Sequence, residues 1–143
     1  MSELYVIAAG RPLAPGGAEE VGNKAWNLML MAEAGLAVPP AFVLPTVLCP
    51  RMLDGSAANI DRLIERGIAE LEALTGRGFG SARRPLLLSV RSGAAASMPG
   101  MMETVLNLGL NDDTCAAMLR STGNPRLVWD SYRRLIESYG EIV

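Results

Sequence analysis

Residues 86–110 read LLLSVRSGAAASMPGMMETVLNLGL, and the rest of the chain is organised around them. The apolar run Leu86 to Val90 is too short for an independent helix and predicts a buried strand. It delivers Arg91 and Ser92 into a loop of small residues, Gly93 to Ser97. Met98-Pro99-Gly100 makes a turn, and Thr104 to Leu108 starts a second strand. A strand that ends in arginine and a glycine-bearing loop, then returns, is a way to build an anion site. The strand fixes the cation, and glycine lets backbone N–H groups approach the ligand.

Working outward, Leu4–Ala8 predicts a short strand, and Gly10 to Gly17 a loop. From Gly22 the pattern becomes helical as far as Ala34, with Gly35 as the stop. Ala25, Leu28, Met29 and Ala32 form its core face, and Trp26 with Leu30 adds a second apolar strip. Such a helix expects burial on more than one side, against further chain or a second copy. Pro39-Pro40 breaks the chain, Ala41–Leu44 reads as a strand, and Thr46 is positioned to cap a short helix ending before Gly55. Residues 59–74 carry the clearest amphipathic helix, with Ile60, Leu63, Ile64, Ile68, Leu71 and Leu74 on one face. Gly76 to Gly80 leads into a strand rather than a helix, so it reads as a connector and not as a phosphate loop. Asn111 caps a helix with Asp112 and Asp113 in its first turn, ending near Gly123. Asn124-Pro125 opens a last helix running toward Tyr139.

The 143 residues carry a net charge of −2, no histidine and two cysteines. Mean hydropathy is +0.23 and the isoelectric point about 5.2. The charge argues against nucleic acid as a partner. Without histidine there is no Ser-His or Cys-His nucleophile and no histidine metal site. Cys49 and Cys115 lack metal-ligand spacing and form no disulfide framework, so the expected location is cytoplasmic. No apolar segment reaches membrane-spanning length.

Three positions suit anion chemistry. Arg91 shares a strand face with Leu87 and Ser89; it either pairs with a surface carboxylate or binds phosphate bidentately. Lys24 sits in a first helical turn, where a cation is disfavoured unless an anion joins it; the bland alternative is a solvated lysine. Gly100 offers open backbone and Thr104 a hydroxyl donor, while Met98, Met101 and Met102 equally suit a core filler.

VGNKAWNL (21–28), GLAVPPAF (35–42), LLLSVRSGAAASMPGMMETVLNLGLND (86–112) and NPRLVWDSYRRLIESYG (124–140) together resemble the N-terminal part of the pyruvate, phosphate dikinase family. The related phosphoenolpyruvate synthases lack the MPGMM segment, which makes them the weaker match. The resemblance implies an α+β fold, α/β-like at first: a partial ATP-grasp domain with a small mixed sheet and packed helices, then a helical segment. It implies an N-terminal α/β subdomain over residues 1–110 and the start of a helical insertion over 111–143. It places Lys24 and Arg91, the latter catalytic, on the nucleotide phosphates, with Gly100, Met101, Met102 and Thr104 on the loop covering them. The implied cofactor is Mg-ATP, with the acidic magnesium ligands expected outside these residues and no dikinase activity expected of them alone. Asn23, Trp26, Leu30 and Ala41 depart from the family's pattern. The Trp26/Leu30 strip is expected to meet the remainder of a dikinase chain or a second copy in a homodimer. A stand-alone, non-catalytic ligand-sensing module is the alternative.

Overall fold

The computed structural model describes residues 3–55, 59–92 and 104–142. They cluster into two compact units, one of residues 3–74 and one of residues 75–92 and 104–142.

In the first unit, β1 (Tyr5–Ile7) pairs antiparallel with β2 (Ala41–Val43), with Val6 opposite Phe42. Between them lie α1 (Gly17–Val21) and α2 (Asn23–Glu33). The alternation of β1 and the three-and-four spacing of α2 bury one core of Tyr5, Ile7, Ala14, Val21, Met29 and Ala32, with Ala25, Leu28 and Val43 against it. The helix stops at Gly35, which holds φ +78. There Gly35 N–H donates to the Ala32 carbonyl at 3.1 Å and Leu36 N–H to that of Met31 at 3.0 Å. This crossed pair satisfies carbonyls that the helix end would otherwise leave open, and it requires the left-handed residue that glycine supplies. Two further helices complete the unit, α3 (Leu48–Leu53) and α4 (Ile60–Thr75).

The loop expected over Gly10 to Gly17 is followed by a helix that was not foreseen, α1, too short to show periodicity. Two expectations are corrected here. Thr46 does not cap α3: its hydroxyl donates to the Glu19 carbonyl at 2.8 Å, and Val47 stands at the helix start. The buried line of α4 is Leu63, Gly67 and Leu71. Ile64 and Leu74, on the edges of the apolar stripe, remain 38% and 40% exposed.

In the second unit, β3 (Gly78–Phe79) and β4 (Pro85–Leu86) form a short parallel pair, and β5 (Leu88–Arg91) runs antiparallel to β6 (Thr104–Leu108). The expected single mixed sheet is thus three separate two-stranded pairs among the described residues. Leu86 is buried, but Val90 and Leu106 are about half exposed, 48% and 50%. A two-stranded ribbon presents both faces, and the core of this unit covers only part of one. That core is Leu110, Cys115, Val128 and Leu135, with Leu87, Val105, Leu108 and Tyr132 packed on it.

The two helices of this unit start as their sequence predicts. At α5 (Asp112–Thr122) the Asn111 side chain accepts from Thr114 N–H at 2.9 Å, and Asn111 N–H donates to the Thr114 hydroxyl at 2.7 Å. This reciprocal cap satisfies two donors that the helix start leaves open. At α6 (Pro125–Ile142) the Asn124 side chain accepts from Leu127 N–H at 3.1 Å. Val128 and Leu135 of α6 are buried, whereas Leu127, Trp129, Ile136 and Tyr139 stand at least 46% exposed.

Candidate functional site

Lys24 is the second residue of α2, exposed at its N-terminal turn. Gly22 takes the capping position at φ 82 and ψ 153 and, as a glycine, offers no capping side chain. The first turn also has no acidic residue. A helix start with the positive end of the dipole and a lysine is chemically suited to an anion.

Arg91 and Thr104 are brought together by the second unit. They are opposite partners in the β5–β6 ladder, the last residue of one strand and the first of the next. Directly opposed residues project to the same face of the sheet, so a guanidinium and a hydroxyl lie side by side there. Their register depends on an irregularity. Leu88 faces Leu108 but Val90 faces Val105, so Leu106 and Asn107 together stand opposite Ser89. Asn107 absorbs the extra residue at φ 59, a left-handed conformation that asparagine tolerates better than most side chains. Arg91 is exposed and makes no ion pair among the described residues, so the surface salt bridge weighed as its bland reading does not form there. Gly100, Met101 and Met102, the rest of the expected phosphate loop, lie outside the described residues. Lys24 belongs to the first unit, Arg91 and Thr104 to the second.

The sequence reading missed Glu20. It is 7% exposed, in a unit whose other carboxylates are on the surface. Both its oxygens are bonded: Tyr5 Oη donates to Oε1 at 2.7 Å and Gly16 N–H to Oε2 at 2.9 Å. The Tyr5 hydroxyl first, then the Gly16 N–H, hold its pKa below the ordinary 4.5. One signal was available, a glutamate reaching back to the N–H at the start of its own helix. Nothing local points to Tyr5, fifteen residues earlier. An open groove of about 350 Å³ lies beside Glu20, lined by Pro15, Gly16, Glu19, Thr46 and Val47 as well. With two carboxylates and no cation, it is unsuited to a polyphosphate.

Among the described residues no three His, Cys, Asp or Glu side chains lie close enough to hold a metal ion.

No family model matches the chain. Curated relatives do. The chain is 48% identical to pyruvate, phosphate dikinase of Rhizobium meliloti, over 98% of its own length and 16% of the relative's. It is 44% identical to the Clostridium symbiosum dikinase over 86% of the chain and 14% of that protein. It is 46% identical to the chloroplastic pyruvate, phosphate dikinase 1 of Zea mays over 87% of the chain and 13% of the relative. Over most of its length the chain matches a segment of pyruvate, phosphate dikinases. It spans about one-sixth or less of the length of these dikinases.

Of the places where the chain departs from the dikinase pattern, Trp26 has a local explanation. It is half-buried and packs on the core of the first unit, near Gly17. Part of the indole is thus covered within its own unit. Leu30 stays 40% and Met31 41% exposed.

Glu20 makes the chain acid-sensitive in a defined direction. Its pKa is lower folded than the ordinary 4.5. Its contribution to stability is therefore complete above that value and is lost as pH falls through the depressed folded pKa. Thermal unfolding followed from pH 6 down to pH 3 is expected to show this loss. In Glu20→Gln, which does not titrate, that part of the acid dependence should vanish; an identical pH profile would refute the assignment.

Proposed function

We propose that the chain is the nucleotide-binding N-terminal portion of a pyruvate, phosphate dikinase, in which Lys24 and Arg91 hold the phosphates of ATP. The observation that carries this reading is the match across nearly the whole chain to dikinases of bacteria and plants. Phosphoryl transfer asks a protein mainly for positioning and charge neutralisation. A lysine on a helix start, and an exposed arginine opposite a threonine hydroxyl, are suited to both tasks. On this reading the fold is the first part of an ATP-grasp domain. Residues 1–110 belong to its α/β subdomain and 111–143 begin a helical insertion. Gly100, Met101 and Met102 cover the phosphates through backbone N–H groups, and magnesium ligands come from elsewhere in a dikinase chain. The same further chain covers the exposed apolar side chains of α6. The two free thiols suit a reducing, cytoplasmic location.

The chain alone is expected to bind Mg-ATP weakly and to lack dikinase activity. Calorimetric titration with Mg-ATP tests the site. Lys24→Ala and Arg91→Ala should each weaken binding by about tenfold or more, the scale of one charge-assisted contact. Equal heats for wild type and both variants would remove the phosphate role from these residues. Pyruvate-dependent AMP formation by the purified chain would overturn the expected inactivity.

A further inference from the structure

We propose that Glu20 is a positioning residue for Lys24, fixing the backbone that carries the lysine by tying three separate segments to the start of α2. The inference rests on the nucleotide reading above and extends it to a side chain that reading leaves without a part.

Three segments converge on this one residue. β1 reaches it through the Tyr5 hydroxyl, 2.7 Å from Oε1. The loop before α1 reaches it through Gly16 N–H, 2.9 Å from Oε2. The loop after β2 reaches its backbone: Thr46 N–H donates to the Glu20 carbonyl at 2.8 Å, while the Thr46 hydroxyl holds the neighbouring Glu19 carbonyl. Room for this arrangement depends on Gly16, where an added Cβ would stand 2.8 Å from both the Glu20 Cβ and Oε2.

From Glu20 the chain passes without slack to the lysine. Val21 is buried in the core, and Gly22 N–H donates to the Ala18 carbonyl at 2.8 Å. The Gly22 carbonyl then accepts from Trp26 N–H at 3.0 Å, closing the first turn of α2 around Lys24. The Lys24 side chain is exposed and makes no ion pair among the described residues. Its position is therefore inherited from the residues on either side. A phosphate held by first-turn N–H groups and a lysine tolerates little displacement, so the rigidity of this lead has a functional consequence. An apolar residue at position 20 would fill the same space but lose the ties to Tyr5 and Gly16, keeping only the backbone bond from Thr46. A buried carboxylate is costly unless both oxygens are bonded, which here they are.

The test measures binding of tripolyphosphate by calorimetry, together with amide exchange at Gly22 and Trp26 by NMR, on the whole chain. Glu20→Ala is expected to weaken binding about tenfold, the equivalent of about one charge-assisted hydrogen bond, and to speed exchange at both amides. Glu20→Gln should restore both properties, since its amide can accept from Gly16 N–H and donate to the Tyr5 oxygen. Lys24→Ala should cost about tenfold in the wild type but less than about twofold when added to Glu20→Ala, a non-additivity that simple destabilisation does not produce. Should Glu20→Ala fail to fold, Tyr5→Phe removes one tie without adding bulk and takes its place. Unchanged affinity and exchange in these variants, or an equal cost of Lys24→Ala in both backgrounds, would overturn the proposal. Absence of wild-type binding would instead sink the nucleotide reading, and the exchange rates alone would then decide whether Glu20 fixes this turn.

Discussion

Replacing Val128 with aspartate is expected to unfold the second unit. Val128 is completely buried, at the centre of a core that also contains Leu110, Cys115 and Leu135. The neighbouring groups are apolar or already bonded. Thr114, equally buried, donates its hydroxyl to the Gly109 carbonyl at 2.9 Å. Burial already pushes the Cys115 thiol pKa up, with Asp112 adding to the effect, so an anionic group is disfavoured there. An aspartate at 128 would have to stay protonated or draw the helix away from β6. A loss of at least about 4 kcal/mol is expected, against a total stability of about 5–15 kcal/mol for ordinary domains. Val128→Ala, which only leaves a small cavity, should cost about 2 kcal/mol. Urea unfolding followed by Trp129 fluorescence separates the two variants. A midpoint for Val128→Asp close to that of wild type would mean that this core is not closed.

The contrast between the two units explains what the sequence could and could not reveal. Asn111, Gly123 and Asn124-Pro125 act within four residues of themselves, so the ends of α5 and the start of α6 follow from local chemistry. Gly35 acts in the same way at the end of α2. Lys24 could be placed on a first helical turn for the same reason. What escaped was set by partners distant in the chain. Tyr5 and Glu20 are fifteen residues apart, and neither has a local pattern that names the other. The opposition of Arg91 and Thr104 depends on one extra residue at Leu106-Asn107, and strand periodicity gives no warning of it. Trp26 looked like an outward strip because periodicity measures only which residues share a helix face. Whether α1 and its glycine start come to cover that face is a tertiary matter. The family resemblance is a different kind of inference: it rests on VRSGA and SMPGMM as words, and composition alone leaves Arg91 a surface cation.

Gly67→Ala is expected to destabilise the first unit, and the sign of the effect makes it a demanding test. At an open position in a helix interior this change gains about 1 kcal/mol, because alanine is the better helix former. Gly67 lies mid-helix in α4, between the buried Leu63 and Leu71, and its φ is not left-handed. Propensity alone therefore predicts a gain. The obstacle is Phe42: a Cβ at position 67 would sit 2.5 Å from its Cδ2, 2.6 Å from Cγ and 2.7 Å from Cε2. Cγ is bonded directly to Cβ, so the ring cannot clear the space by turning about its own axis. Either β2 or α4 must shift, and overpacking of this kind costs about 1–3 kcal/mol. A net loss of about 1–2 kcal/mol is expected for alanine, and a larger one for Gly67→Val. The displacement has a route to the candidate site. Phe42 is the ladder partner of Val6, and Val6 adjoins Tyr5, whose hydroxyl holds Glu20 at 2.7 Å. Gly67→Val should therefore also speed amide exchange at Gly22, although residue 67 is distant in sequence from α2. Urea titration of the alanine variant settles the sign. A gain near 1 kcal/mol would mean that β2 yields freely, and that the Tyr5–Glu20 bond does not depend on the packing of Phe42 against α4.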